Sequence, residues 1–269
     1  MHKIHDRLAR DIAVSISVAL ALIVLMSVTV RGDTLVGHWK FDGDFSDSVG
    51  SNDATKSAGN NEAFAGTSNG KIGGAVDFDG DQDGLTLPNA KTQLIADNTY
   101  SLAFWEWSRG AGNTGYFICS GPSAGYEGFF FRRDGANPGN YNGQHGNDGA
   151  GTVIANSVSR ENWHHVVLTV DSSEVARLYV DGEFKDSEAV PNKVHVNLDS
   201  ALWLGRRKGD FLRDFDGLLD DLQIYDDALT GAQAQWLFNH PGQAIPEPGM
   251  LIMLVCAGLT LAALRQRRR

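Results

Sequence analysis

The chain has 269 residues, 31 of them Gly, with 33 Asp and Glu against 23 Lys and Arg, a net charge of −10. A surface of that sign repels phosphate backbones and anionic bilayers, which argues against nucleic acid as a partner. Only 2 Cys are present, too few for a disulfide-stapled scaffold.

Residues 1–32 read as a signal peptide. Lys3, Arg7 and Arg10 precede Ile12 to Val30, 19 residues without charge. Val30 and Gly32 stand at −3 and −1 to Asp33, as signal cleavage requires. An uncleaved anchor stays open, because 19 residues approach the ~20 that span a bilayer. Residues 33–240 then form one domain. Without segments 1–32 and 249–269, 15 basic and 31 acidic residues remain, a net charge of −16. That charge suits neutral ligands or Ca²⁺, and equally plain solubility.

Within the domain, period-two alternation predicts strands with one buried face. Cys119 closes Tyr116-Phe117-Ile118-Cys119 and reads as a buried strand residue. Gly121 to Gly151 is Gly-rich and reads as one strand, Gly128 to Arg133, flanked by long loops. Val166, Leu168 and Val170 alternate after Trp163, as do Ala176, Leu178 and Val180. Asp181-Gly182 is then a two-residue hairpin signal. Leu222 and Ile224 alternate near the end of the domain. Thr230-Gly231-Ala232-Gln233 has capping-box spacing and predicts a short helix through Phe238. Many short strands with recurring Asp-Gly turns predict an all-β sandwich or barrel.

Residues 241–248 form a linker ending in Pro246-Glu247-Pro248, and residues 249–269 a terminal segment. Gly249 to Leu264 is uncharged and Arg265, Arg267, Arg268 and Arg269 follow, which places this end in the cytoplasm and the domain outside. Cys256 lies in this run, so Cys119 is alone in the domain.

Val36-Gly37-His38-Trp39-Lys40-Phe41-Asp42, Ala75-Val76-Asp77-Phe78-Asp79-Gly80, Asn162-Trp163-His164-His165-Val166 and Asp220-Asp221-Leu222-Gln223-Ile224-Tyr225 occur in that order. In order and spacing, residues 36–238 resemble the laminin-G-like, concanavalin A-like lectin/glucanase superfamily. The resemblance implies a jelly-roll sandwich of two antiparallel sheets, one concave, with neighbouring chain ends. The tail resembles a PEP-CTERM sorting signal. That implies an exosortase-type processing enzyme, transient membrane anchoring, and delivery to the surface or extracellular matrix of a Gram-negative bacterium. A simple single-span anchor is the alternative.

Retaining glycosidases need two carboxylates about 5–5.5 Å apart, and no Glu pair with the glucanase spacing is present. Glu106, between Trp105 and Trp107, reads as an exposed strand residue. No Gly-x-Ser-x-Gly occurs, and adjacent His164 and His165 point to opposite strand faces. The expected role is therefore non-catalytic. Asp79-Gly80-Asp81-Gln82-Asp83-Gly84 matches the start of a Ca²⁺ loop but has Ala90 at the twelfth position, so it reads as a turn. The resemblance implies a structural Ca²⁺ held by Asp47, Asn52, Asp220 and Asp221. Asp220 shares parity with Leu222 and Ile224 and is expected to point inward; a hydrogen-bonded Asp is the alternative. Sugar rings stack on aromatic faces, and Trp105, Trp107, Tyr116, Phe129, Phe131, Tyr141 and Trp203 are candidates. Trp105 and Trp203 sit in core-like blocks, so Trp107 and Tyr141 are the expected ligand-binding pair. The function expected is an exported protein binding glycan or extracellular polymer. An adhesive matrix protein without a sugar site is the alternative, and a glycoside hydrolase the least favoured.

Overall fold

Two antiparallel sheets account for the strands. The first runs in the order β1 (Leu35–Trp39), β14 (Asp216–Tyr225), β5 (Tyr100–Ser108), β10 (Trp163–Val170), β11 (Val175–Val180) and β12 (Glu183–Ala189). A seventh strand, β3 (Val76–Asp79), pairs with the start of β14, while β1 pairs with its end. The second sheet runs β2 (Thr55–Lys56), β4 (Leu85–Leu87), β13 (Leu202–Leu204), β6 (Gly115–Cys119), β7 (Phe129–Arg133), β8 (Tyr141–His145) and β9 (Thr152–Ala155). The computed structural model describes residues 33–57, 69–88, 99–109, 114–120, 129–135, 139–145, 152–190, 201–207 and 213–246. The signal-like segment and the tail from Glu247 onward lie outside these residues. Among the described residues no helix is long and apolar enough to cross a membrane.

The sheets meet through alternate residues of each strand. Leu102 and Phe104 of β5, with Val166 and Leu168 of β10, share one buried cluster with Phe117, Phe131, Leu202 and Leu204 of the other sheet. Phe104 and Phe117 touch across the interface at 5.9 Å between ring centroids. Full burial of such side chains stabilises by about 1.5–3 kcal/mol each. This is the all-β sandwich that the alternation predicts.

The outer face of the first sheet is also covered. Its one described helix, α1 (Gly231–Asn239), starts at a complete capping box between Thr230 and Gln233, as the spacing predicts. Leu237 and Ala234 pack on Ala103, Val167, Tyr179 and Tyr225 in a second, smaller cluster. His165 packs against Trp105 on this face, with tilted rings 4.9 Å apart, whereas His164 points the other way.

Two side-chain directions differ from expectation. Glu106 is fully buried between the sheets. Its carboxylate accepts from Arg133 Nη2 at 2.7 Å, Ser108 Oγ at 2.5 Å and the Tyr141 hydroxyl. The flanking Trp105 and Trp107 point outward instead, under parity that the aromatic setting disguised. Asp220 does not point inward with Leu222. The β14–β5 register shifts between Asp220 and Gln223, and Asp221 has φ 52°. This bulge puts both Leu219 and Leu222 in the core and leaves Asp220, opposite Trp105, on the outer face.

Candidate functional site

Cross-strand partners in a sheet point to the same side. In the second sheet, Leu85, Leu87, Leu202, Leu204, Phe129, Phe131 and Val153 fill the core. The residues between them therefore face away from it. Register then aligns Thr55, Thr86, Trp203, Cys119, Phe130, Gln144 and Thr152 in one row across all seven strands. Beside it lies a second row of Tyr116, Arg132, Asn142 and Ile154.

These rows form an aromatic and amide surface in which Arg132 is the only charged side chain. Phe130 packs edge-on to Tyr116 at 5.3 Å. The Arg132 guanidinium lies 4.9 Å from the Phe130 ring and donates from Nη1 to the Tyr116 hydroxyl at 3.3 Å. Trp203, Phe130, Asn142 and Gln144 are half-buried. Thr55 and Thr86 share a hydroxyl hydrogen bond of 2.9 Å at one end. Among the described residues, two buried polar atoms of this face have no partner: the Arg132 Nε donor and the Asn142 Oδ1 acceptor, on directly paired residues. An unmet buried donor or acceptor costs about 1–3 kcal/mol. A group that both accepts and donates, such as a hydroxyl, matches the pair.

The expected ligand pair is not brought together. Tyr141 is fully buried, because register with Arg133 turns it into the core, where its hydroxyl meets Glu106 and Arg133. Burial, reinforced by the Glu106 charge, raises its hydroxyl well above the ordinary tyrosine range. It presents no ring to solvent, which corrects its assignment to a ligand face. Trp107 is half-buried on the outer face of the first sheet, paired with Trp163 and Leu218. Trp105 is buried on that face beneath Phe238, at 5.7 Å, and the Lys71 ammonium, at 4.3 Å. Trp203 and Tyr116 lie on the aromatic face instead. Phe130, Arg132, Asn142 and Gln144 are absent from the expected set. The run Phe129-Phe130-Phe131-Arg132-Arg133 has no alternation from which to choose a face. Leu202-Trp203-Leu204 reads as a core-like block, but its alternation puts Trp203 on the face opposite Leu202 and Leu204, and that signal was passed over.

The residues expected to hold Ca²⁺ do not fit one shared oxygen cage. The Asp47 carboxylate accepts from the backbone N–H of His38 and Val49, both at 3.0 Å, and of Asn52 at 3.4 Å. Asn52 holds the Trp39 indole through its backbone oxygen, at 3.1 Å. Asp221 accepts from His38 Nε2 at 2.5 Å, Gln223 Nε2 at 3.2 Å and the Gly242 N–H at 3.0 Å. Asp220 accepts from the Ile72 N–H at 2.8 Å. Among the described residues, its Oδ1 alone, of these four side chains' oxygens, is buried without a partner. Among the described residues no three His, Cys, Asp or Glu side chains converge as metal ligands. The Asp79–Gly84 segment closes on itself as a turn: Asp79 Oδ1 accepts from the Asp81 N–H and Asp83 Oδ2 from the Asp79 N–H.

Known proteins share this architecture. Domain 4 of AbnA, a GH43 extracellular arabinanase from Geobacillus stearothermophilus solved with arabinotriose, is 25% identical with a TM-score of 0.57. That match covers 77% of this chain and 98% of the domain. The Trypanosoma rangeli sialidase, solved with 2,3-difluorosialic acid, is similar at TM-score 0.60 and 18% identity over 76% of this chain. The chain spans 32% of that enzyme's length. The binding domain of Paraclostridial Mosquitocidal Protein 1 aligns at TM-score 0.59 and 15% identity, over 76% of this chain and 52% of that one. The latter two likenesses are of fold alone. No curated protein sequence matches the chain. Residues 78–235, which contain most of both sheets, match the Laminin_G_3 signature, and the chain belongs to the concanavalin A-like lectin/glucanases superfamily.

Proposed function

We propose that this is an exported glycan-binding protein whose ligand lies, without being cleaved, on the aromatic face of the second sheet. The observation that carries the reading is the paired orphan donor and acceptor, Arg132 Nε and Asn142 Oδ1, set beside Phe130 and Tyr116. A sugar hydroxyl accepts from the first and donates to the second. The apolar C–H face of a sugar ring packs on Trp203 or Phe130. The likeness to an arabinanase domain solved with arabinotriose supports a sugar ligand. The signal-like opening and the Pro246-Glu247-Pro248 tail support an extracellular setting.

A glycan array and affinity electrophoresis against neutral and acidic polysaccharides test the reading. Binding is expected to fall at least tenfold in Trp203→Ala and in Arg132→Ala, and to persist in Trp107→Ala, on the opposite sheet. Loss in Trp107→Ala with retention in Trp203→Ala would move the site to the first sheet. Absence of binding to every glycan would leave an adhesive matrix role.

A further inference from the structure

The loop between β9 and β10 carries a constellation that the sequence does not reveal. Ser159 Oγ lies 2.8 Å from His164 Nε2, and His164 Nδ1 lies 2.7 Å from Asp181 Oδ2. With Nδ1–H donating to the carboxylate, Nε2 is the acceptor for the serine hydroxyl proton. The parts come from three places: an exposed loop, strand β10 and the Asp181-Gly182 hairpin turn, with φ values of 54° and 76°. Ser159 is exposed, whereas its backbone is held from beneath. Arg133 donates to the carbonyls of Val158 and Ser159, both at 3.0 Å. Asp181 is fixed through its other oxygen by the His165 N–H at 2.9 Å. Burial raises its carboxyl, but hydrogen bonds from His164 and the His165 N–H prevail and hold it below the ordinary aspartate value. Asn162 Nδ2 donates to Ser159 Oγ at 3.3 Å and to the Arg160 carbonyl at 2.9 Å, which ties the loop around the nucleophile.

We propose that Ser159, His164 and Asp181 form a nucleophilic site acting on unhindered carboxylic esters. Nucleophile, base and orienting acid are recognised by geometry and roles, not by sequence order. Ser159 Oγ bonds to the acyl carbon as its proton passes to His164 Nε2. The carbon–alkoxy bond then breaks, and the alcohol leaves with that proton. Water adds to the acyl-serine, giving a proton to Nε2. The Oγ–carbon bond breaks, the acid departs and Oγ takes the proton back. Asp181 holds the imidazole orientation throughout. The site is independent of the glycan face.

The test treats the intact protein with a fluorophosphonate probe, locates the adduct by peptide mass spectrometry, and follows p-nitrophenyl acetate hydrolysis. The adduct is expected on Ser159. Ser159→Ala should lose label and at least tenfold of the hydrolysis at an unchanged melting temperature. Asp181→Asn should lower both at least tenfold while Asn keeps the turn. An unlabelled Ser159 would overturn the proposal, as would hydrolysis that Ser159→Ala leaves intact, which would reduce it to imidazole chemistry at the surface.

Discussion

The two outer faces of the sandwich are finished differently. On the first sheet, the chain supplies its own cover. Helix α1 lies over Val167 and Tyr225, and Phe238 lies over Trp105. Some of its polar groups satisfy one another in series: the Ile245 N–H donates to Tyr225, which donates to Gln223, which donates to Asp221, whereas Trp105 Nε1, His165 Nδ1, Thr169 Oγ1 and Asp220 Oδ1 are buried there without a partner among the described residues. On the second sheet, Trp203 and Phe130 stay half-buried, and a donor and an acceptor on paired residues are left unmet. The difference between the faces is therefore one of cover: the first is closed by its own chain and contributes to stability, whereas the second keeps aromatic rings half-buried, as the proposed glycan site requires.

Substitutions on the covered face should act on stability and leave binding alone. The largest effect is expected from Leu237→Ala, which opens a cavity beneath α1. It should cost about 2–5 kcal/mol in a thermal or denaturant melt while glycan retention is unchanged. Lost binding in a folded Leu237→Ala protein would break the contrast between the faces.

The covered face should also govern pH dependence. Burial, aided by the Asp221 charge and opposed by the Ile72 N–H, pushes the Asp220 carboxyl up to about 8 from 3.8. The folded protein keeps this proton where the unfolded chain has lost it. That stabilisation is complete below about pH 4 and is lost as pH rises through about 8. Burial lowers the His165 ring from 6.5 to about 4, so its contribution is complete above 6.5 and is lost as pH falls toward 4. Between pH 8.5 and 6.5, Asp220 is expected to dominate, and the melting temperature should rise by a few degrees on acidification. Below 6.5 the two groups oppose each other and the curve should flatten. Asp220→Asn should remove the upper limb; an unchanged pH profile would exclude Asp220 as its source.

On the open face the expected pattern reverses. Trp203→Ala should weaken glycan binding about tenfold, or ~1.4 kcal/mol, with a melting shift smaller than that of Leu237→Ala. The smallest effect is expected from calcium, since Asp47 and Asp221 spend their oxygens on internal donors. Titration calorimetry should give no binding heat and a chelator no change in melting. A clear stabilisation by Ca²⁺ would instead place the ion at the unpartnered Asp220 Oδ1.

The frame of this domain was readable in the chain, because alternation such as Val166, Leu168 and Val170 is a local consequence of one buried face. The Thr230 to Gln233 capping box was readable for the same reason. The site was not, because its rows are assembled by register among strands far apart in sequence. Trp203 joins Phe130 only through Cys119 on β6. Tyr141 was misplaced because a tyrosine beside Gly-rich loops looks solvent-facing until Arg133 is known to lie opposite. Asp220 was misplaced by one bulge, which reverses parity within a single strand. Ser159, His164 and Asp181 carry no motif, since a hairpin and a loop bring them together.

The Glu106–Arg133 pair has a consequence for how the sandwich is assembled. Each charge sits on a different sheet, and their side chains are 0% and 1% exposed. A sandwich docked with its sheets displaced would bury a carboxylate without its guanidinium, which costs several kcal/mol per ion. Apolar contacts such as Phe104 on Phe117 tolerate sliding far better than this. The pair is therefore an alignment key: greasy surfaces bring the sheets together, and one ion pair decides where they stop.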